Sequence, residues 1–350
     1  MMNEEKFIKI GDRKIGKDFT PFVIAEIGIN HNGSYEKAIQ MVDDAYRVGC
    51  ECVKFQCHII EDEMTHHAKH TIPANSDKSI YDIIENSSLN KEEHKRLKKY
   101  VESLGMFYMC TPFSRAAADF LEEIGVLAYK IGSGECNNYP LIKHIAKFKK
   151  PIILSTGMNN IETIKPAVKI LQQENVPYAL LHCTSLYPTP YDKVRLGAIK
   201  QLQIEFPDVV LGLSDHSIGN YTCFASVALG ASILEKHFTS DKEWFGPDIE
   251  ISIAPHELQD LICGSNFIHQ SIGGTKEILE DEQPTIDFAY ASVVAIKDVK
   301  VGEKFSYDNI WVKRPGTGHF LAKDLENIIG KVCKKNIGEG NHLEPAHIEK

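Results

Sequence analysis

The sequence predicts an α/β fold: a (β/α)8 barrel over residues 1–272 with a short N-terminal extension, a linker at 273–284 and a small β-rich domain at 285–350. Three observations carry this expectation. Short apolar, β-branched runs alternate with amphipathic stretches of helical period from residue 21 to about 272, the pattern of βα units on a parallel sheet. The alternation repeats eight times in about 250 residues, the usual size of such a barrel. Past Gly273-Gly274 it stops, and short strand-like runs broken by turn residues take over.

The eight strand runs are Phe22–Ile27, Cys52–Gln56, Met106–Thr111, Ala128–Gly132, Pro151–Ser155, Tyr178–Thr184, Val209–Ser214 and Ser232–His237. Between and after them, helical spacing marks Tyr35–Val48, Lys91–Leu104, Arg115–Ile124, Pro140–Phe148, Ile161–Gln173, Val194–Phe206, Asn220–Leu229 and His256–Ile272. A doubly wound open sheet is the competing architecture. Its dinucleotide-binding form needs G-x-G-x-x-G after the first strand, and Gly28-Ile29-Asn30-His31-Asn32-Gly33 lacks that spacing. One connection is long, from about Cys57 to Asn90, and carries His58, Glu61, Asp62, Glu63, His66, His67 and His70. It reads as a solvated loop rather than a metal site, with only His58, beside the strand end, as a sugar contact. In the C-terminal domain, strands are expected at Ser292–Ile296, Ile310–Lys313 and Gly330–Val332, and a short helix at Lys323–Ile329. A domain this small is able to cover a site but not to hold barrel chemistry.

Composition narrows the function classes. Hydrophobic residues make up 43% and charged residues 25%, which is globular rather than disordered or fibrous. Lys+Arg 39 against Asp+Glu 48 gives −9, so no overall basic field exists to hold a nucleic-acid backbone or an anionic membrane. No apolar run reaches the roughly 18 residues of a membrane span, and the N-terminus lacks a signal-peptide core, which points to a cytoplasmic protein. The nine cysteines are mostly embedded in apolar runs and include no CxxC pair, as expected for buried, reduced thiols.

The sharpest signal lies at the C-terminal ends of the eight runs, where a barrel builds its active site. These ends carry Glu26; Lys54 and Gln56; Thr111; Lys130 and Ser133; Ser155; His182 and Thr184; Ser214, Asp215 and His216; Glu235 and His237. Buried parallel strands are otherwise apolar. Two inward lysines, Lys54 and Lys130, point to an anionic ligand; ion pairs to Glu26 or Glu235 are the other account of them. His216 and His237 end successive runs and would suit a divalent ion, Mn²⁺ or Mg²⁺. Glu26, Glu235 and Asp248 are carboxylates for acid–base work, and Trp244 and Phe245 would supply an aromatic wall.

Several motifs in one order resemble the bacterial sialic acid (N-acetylneuraminate) synthases: Ala25-Glu26-Ile27-Gly28-Ile29-Asn30-His31-Asn32-Gly33, Thr111-Pro112-Phe113-Ser114, Lys130-Ile131-Gly132-Ser133-Gly134-Glu135, Leu154-Ser155-Thr156-Gly157-Met158, Tyr187-Pro188-Thr189-Pro190, Gly212-Leu213-Ser214-Asp215-His216 and Glu235-Lys236-His237-Phe238-Thr239. Val312-Lys313-Arg314-Pro315-Gly316 resembles that family's antifreeze-like (SAF) domain. The resemblance implies a transferase that condenses phosphoenolpyruvate with an N-acetylated hexosamine, N-acetylmannosamine first, and releases phosphate. It implies a domain-swapped homodimer in which the small domain caps the partner's barrel. It further implies that Lys54, Lys130, Ser133, Ser155 and Ser214 hold phosphoenolpyruvate and that His216 and His237 bind Mn²⁺. Glu26 would act near the aldehyde, and Tyr187, Asp248 and the partner's Arg314 would contact the sugar. Gln56 and Thr111 join the substrate-binding set, and either Glu26 or Glu235 would be the base that activates water.

The chain departs from the resemblance at Phe55 and Cys57 in Lys54-Phe55-Gln56-Cys57-His58, at Ser185 and at Lys242-Glu243-Trp244-Phe245. These departures are expected at the sugar end and admit the same reaction on a 2,4-diacetamido-6-deoxyhexose, giving a legionaminic- or pseudaminic-type acid. A metal-dependent aldolase or isomerase on the same barrel, and a non-catalytic sugar- or ice-binding module, are the readings from other classes.

Overall fold

The computed structural model describes residues 6–72 and 77–348; the first five residues of the N-terminal extension and residues 73–76 of the long connection lie outside the described residues. The chain divides into two compact units, Met1–Gly273 and Gly274–Lys350.

In the first unit β1 (Ile8–Ile10) and β2 (Arg13–Ile15) form an antiparallel hairpin. Eight parallel strands follow: β3 (Phe22–Gly28), β4 (Cys52–Cys57), β5 (Phe107–Pro112), β6 (Tyr129–Ile131), β7 (Ile152–Ser155), β8 (Tyr178–Cys183), β9 (Val210–Asp215) and β10 (Ile233–His237). Their order is β5-β4-β3-β10-β9-β8-β7-β6, and β5 lies beside β6, so the sheet curves into a (β/α)8, or TIM, barrel.

Strand alternation explains where the site sits. Successive side chains face opposite sides, so every second residue enters the barrel. Phe22, Ile24, Cys52, Met109, Ala128, Ile153, Ala179, Leu181, Val210 and Ile233 form one buried cluster with Ile8, Ile10 and Ile15 of the hairpin. One inward step further along each strand come Glu26, Lys54, Thr111, Lys130, Ser155, Cys183, Gly212-flanking Ser214 and Glu235. The interior is therefore apolar at one end and polar at the other. The outward residues, Val23, Ala25, Val53, Phe55, Leu154, Leu180, Leu213 and Leu234 among them, pack against the helices in a larger core. At Gly212 close approach excludes a side chain: a Cβ would lie 2.4 Å from Leu181 Cδ2 and 2.5 Å from the Ile233 carbonyl oxygen.

The helices follow the periodicity, with two corrections. The stretch expected as one helix at Val194–Phe206 is two, Tyr191–Val194 and Gly197–Glu205, because Arg195 takes a left-handed conformation (φ 54°) between them. The long connection is not a featureless loop. It holds a helical turn at Ile60–Glu63, a 3₁₀ turn at His66–His70 and a helix at Ile80–Ser87, whose N-cap Ser79 accepts from the Asp82 N–H.

In the second unit β11 (Ser292–Ala295) pairs antiparallel with β12 (Ile310–Lys313). Val293, Ala295, Phe305, Ile310, Leu325, Ile328 and Leu343 supply its own core. The strand expected at Gly330–Val332 reduces to a single bridge, Val332 to Lys304, since Gly330 sits at positive φ and ends the run. The expected helix splits into a 3₁₀ turn, Ala322–Asp324, and the turn Leu325–Ile328. A helix at Gln283–Ala289, started by Pro284, crosses the edge of the expected linker. All nine cysteines are free; Cys263, expected to be buried, is exposed on the outer face of the helix Pro255–Ser271.

Candidate active site

The polar ends of the strands enclose a cavity of about 410 Å³. Glu26, Lys54, Gln56, Thr111, Lys130, Ser133, Ser155, Tyr187, Ser214, His216, Glu235, His237 and Asp248 all line it. The exception among the sequence candidates is Arg314, an exposed residue following β12 in the second unit, where its guanidinium lies 5.7 Å from the Phe288 ring centroid.

Two lysines and two glutamates form the centre. Lys54 Nζ is 2.7 Å from Glu26 Oε2 and 3.8 Å from Glu235 Oε2, and it donates to Thr111 Oγ1 at 3.1 Å. Lys130 Nζ is 3.1 Å from Glu235 Oε1, which also accepts from Ser214 Oγ at 2.8 Å. All four side chains are buried. The ion pairs weighed as the alternative account of the lysines are thus present, and two cations face two carboxylates. The cavity is not the concentrated positive site expected from Lys54 and Lys130 alone.

The two glutamates differ in character. Burial raises the Glu26 carboxyl above its ordinary value in spite of Lys54, and the Glu235 charge adds to the rise. Burial works on Glu235 in the same sense, but Lys130, Lys54 and Ser214 outweigh it and hold that carboxyl down at about 2. Glu235 is therefore held as the anion by its partners, whereas burial and the Glu235 charge disfavour the charged form of Glu26. Burial likewise raises Asp248, to about 6, helped by the nearby Glu26 charge.

Beside this cluster the Gly157 N–H donates to Ser133 Oγ at 2.9 Å, and Ser155 Oγ is buried with no protein partner. On the opposite wall the rings of Tyr187 and His216 lie 4.1 Å apart, and those of His216 and His237 5.4 Å apart. His216 Nδ1 lies 3.0 Å from the Thr184 carbonyl oxygen; donating there leaves Nε2 as a free lone-pair donor. His237 Nδ1 is buried without a hydrogen-bond partner, 3.7 Å from Asp248 Oδ2, and burial followed by the neighbouring His216 favours its neutral form. Two imidazoles with available nitrogens suit a divalent ion whose other positions go to water or substrate. Among the described residues no group of three or more His, Cys, Asp or Glu side chains converges on one metal position, so the protein would supply two histidines.

Other strand-end candidates face away. His182 Nε2 meets the Val194 carbonyl at 2.6 Å, and Thr184 Oγ1 donates to the Lys193 carbonyl. Asp215 pairs with Lys236 at 2.6 Å behind the barrel wall. Ser185, expected at the sugar end, lines the cavity, and so do Cys183, Phe113 and Met158, which were not singled out for it. Alternation along β8 finds Cys183, since Ala179, Leu181 and Cys183 share the inward face; the loop residues Phe113 and Met158 carry no such signal. The residues expected at the sugar end are mostly elsewhere. Phe55 is fully buried and stacks on Tyr108, Cys57 is buried, Trp244 packs under Lys37 Nζ, and Phe245 is exposed. His58 does not line the cavity; it supports Gln56 from behind, 3.1 Å from Gln56 Oε1.

Comparison with known proteins identifies the family. Residues 41–277 match the NeuB family and residues 290–349 the SAF domain. The N,N'-diacetyllegionaminic acid synthase of Campylobacter jejuni is 38% identical over 328 residues, covering 91% of this chain and 97% of that protein. The human N-acetylneuraminate-9-phosphate synthase is 32% identical, covering 95% and 93%. The crystal structure of an N-acetylneuraminic acid (sialic acid) synthetase from Leptospira borgpetersenii serovar Hardjo-bovis, in complex with citrate, matches with a TM-score of 0.74 at 32% identity, over 82% of this chain and 97% of that one. Among the described residues no helix is long and apolar enough to cross a membrane. With the family model spanning most of the barrel and relatives aligned along nearly the whole chain, the protein belongs to the NeuB family of nonulosonic acid synthases.

Proposed function

We propose that this enzyme condenses phosphoenolpyruvate with an unphosphorylated 2,4-diacetamido-6-deoxyhexose, releasing phosphate and forming a legionaminic-type acid. The observation that carries the reaction is the buried Lys54–Glu26 and Lys130–Glu235 cluster at the barrel mouth. The two ammonium groups would take the carboxylate and phosphate of phosphoenolpyruvate, with Ser133, Ser155 and Ser214 as hydroxyl partners. A divalent ion, Mn²⁺ or Mg²⁺, held by His216 and His237 would supply Lewis acidity toward the sugar aldehyde. C3 of phosphoenolpyruvate attacks that aldehyde carbon while the aldehyde oxygen takes up a proton and becomes a hydroxyl, the resulting cation at C2 takes up a water that gives up a proton, and the tetrahedral C2 collapses to the ketone as phosphate leaves with cleavage of the C2–O bond. Glu26 is the group to accept the water's proton, because its carboxyl is raised while Glu235 is locked by three partners. Tyr187 and Asp248 would hold the sugar, and a second copy's Arg314 would complete its binding.

Two observations support an unphosphorylated, less polar sugar. Lys54 and Lys130 are the only lysines or arginines among the described cavity-lining residues, and phosphoenolpyruvate engages both, so this chain offers a sugar phosphate no further fixed cation and only the second copy's Arg314 remains for the sugar. Phe113, Met158 and Tyr187 add apolar surface to the cavity lining. N-acetylmannosamine, giving N-acetylneuraminate, is the second reading, favoured by the fold match to the Leptospira synthetase. Steady-state kcat/KM for a 2,4-diacetamido-2,4,6-trideoxyhexose, N-acetylmannosamine and N-acetylmannosamine 6-phosphate tests the choice. The diacetamido sugar is expected to lead by more than about tenfold, the discrimination available from one well-placed group. A lead for the 6-phosphate would overturn the assignment.

A further inference from the structure

A chain of hydrogen bonds runs out of the cavity to a segment that the reaction does not use. Gln56 Nε2 donates to Glu26 Oε1 at 3.2 Å, which leaves Gln56 Oε1 facing His58 Nε2 at 3.1 Å. An amide oxygen only accepts, so His58 Nε2 donates. The other ring nitrogen, Nδ1, lies 2.8 Å from Glu63 Oε2, a second acceptor. The ring is held face to face on Phe113, with centroids 4.4 Å apart and planes 13° from parallel. Glu63 closes the helical turn Ile60–Glu63, and that turn is itself fixed, because Asp62 Oδ2 accepts from the Ala116 N–H at 2.7 Å. Adjacent acidic residues thus do separate jobs: Asp62 ties the turn to the start of the helix Arg115–Glu123, and Glu63 ties His58 to the turn.

We propose that His58 and Glu63 are positioning residues for Glu26, acting through Gln56. The inference rests on Glu26 being the proton acceptor. A carboxylate that must reach both Lys54 and a water needs its rotation about the Cγ–Cδ bond fixed, and the Gln56 amide fixes it only while its own flip is set. His58 sets that flip, since an amide turned the other way would put its N–H₂ against the imidazole N–H. Glu63 keeps the imidazole from rotating away. The turn after β4 is therefore part of the machinery that orients the reacting carboxylate, although neither His58 nor Glu63 touches the cavity.

The test is kinetics on the full-length enzyme with both substrates and Mn²⁺. His58→Phe keeps the stack on Phe113 and removes both ring nitrogens; kcat is expected to fall on the order of 10- to 100-fold, the effect of a misplaced reacting group, with KM for phosphoenolpyruvate within about twofold. Glu63→Ala should give a smaller loss in the same sense, and Glu63→Gln, which keeps an acceptor, a smaller loss still. The exposed Glu61→Ala on the same turn serves as the control and should match wild type. The losses from His58→Phe and Gln56→Ala should combine less than additively. If His58→Phe does not fold, the Glu63 pair decides alone. Inactive Glu26→Gln with wild-type kcat in His58→Phe and Glu63→Ala would overturn the relay and leave Glu26 in place. Unchanged turnover in Glu26→Gln would instead overturn the role of Glu26, and the relay with it.

Discussion

Replacing Lys130 by methionine separates what the central cluster does for folding from what it does for chemistry. Lys130 and Glu235 are each almost wholly enclosed, with Nζ and Oε1 3.1 Å apart. In Lys130→Met the Glu235 carboxylate keeps the Ser214 hydroxyl at 2.8 Å and Lys54 at 3.8 Å but loses its closest cation. Breaking a buried pair from one side costs about 3–5 kcal/mol; with two partners remaining the low end applies, about 3 kcal/mol. In a barrel of this size that is a fall of about 6–12 °C in the melting temperature. The double variant Lys130→Met, Glu235→Gln buries no unpaired charge and should melt within about 3 °C of wild type. Phosphate release should be lost in both, because the ammonium proposed to bind the substrate anion is gone in both. Calorimetry on wild type, both single variants and the double variant, with a phosphate assay on each, closes the cycle. A double variant as unstable as Lys130→Met, or one that turns over, would refute the assignment of Lys130 to a compensated pair that also binds substrate.

Acid should weaken the fold through two buried histidines behind the barrel wall. Burial, the largest effect on each, lowers His31 to about 3 and His94 to about 4, so their stabilisation is complete above the unfolded value of 6.5 and is lost as pH falls below it. Between pH 7 and 5 each contributes a loss of about 2 kcal/mol, readable by urea denaturation at the two pH values; equal stability at both would contradict the burial argument. Gly157→Ala would put a Cβ 2.5 Å from Ser185 Oγ and 2.8 Å from Ser133 Oγ. It should cost about 1–3 kcal/mol and raise KM for phosphoenolpyruvate more than KM for the sugar. His237→Ala should lose Mn²⁺ binding measured by electron paramagnetic resonance, while Ser217→Ala, buried behind the barrel wall against Asp215 and Thr222, should keep it. If a second copy supplies Arg314, mixing inactive Lys130→Ala with impaired Arg314→Ala should restore about a quarter of wild-type activity, since half the dimers carry one intact site; no recovery would argue against a shared site.

The barrel was legible because period-2 and period-3.6 patterns alternate cleanly, and each of the eight strand runs forms a strand within a residue or two of its expected ends. The site was legible for a related reason: glutamates and lysines inside apolar runs contradict the burial rule unless they line a cavity. What the sequence left hidden was parity. Listing every polar residue at a strand end swept in His182, Thr184 and Asp215, which face outward, and passed over Cys183, which faces in. Phe55 shows the same effect, since its neighbours Lys54 and Gln56 line the cavity while it packs behind the wall. Charge balance was hidden as well. Glu26 and Lys54 are 28 positions apart, and only the β3–β4 register brings them opposite one another. The turn Ile60–Glu63 is too short for periodicity to reveal, although His58 beside it drew attention.

The central claim is that the Lys54, Lys130, Glu26 and Glu235 cluster joins phosphoenolpyruvate to an amino-sugar aldehyde. Its most direct test is inorganic phosphate release by the purified protein with Mn²⁺, phosphoenolpyruvate and a 2,4-diacetamido-2,4,6-trideoxyhexose, supplied singly and together. One phosphate per sugar consumed is expected when both substrates are present, and none with either alone. Phosphate release without sugar, or consumption of sugar without phosphoenolpyruvate as an aldolase or isomerase would show, would contradict it.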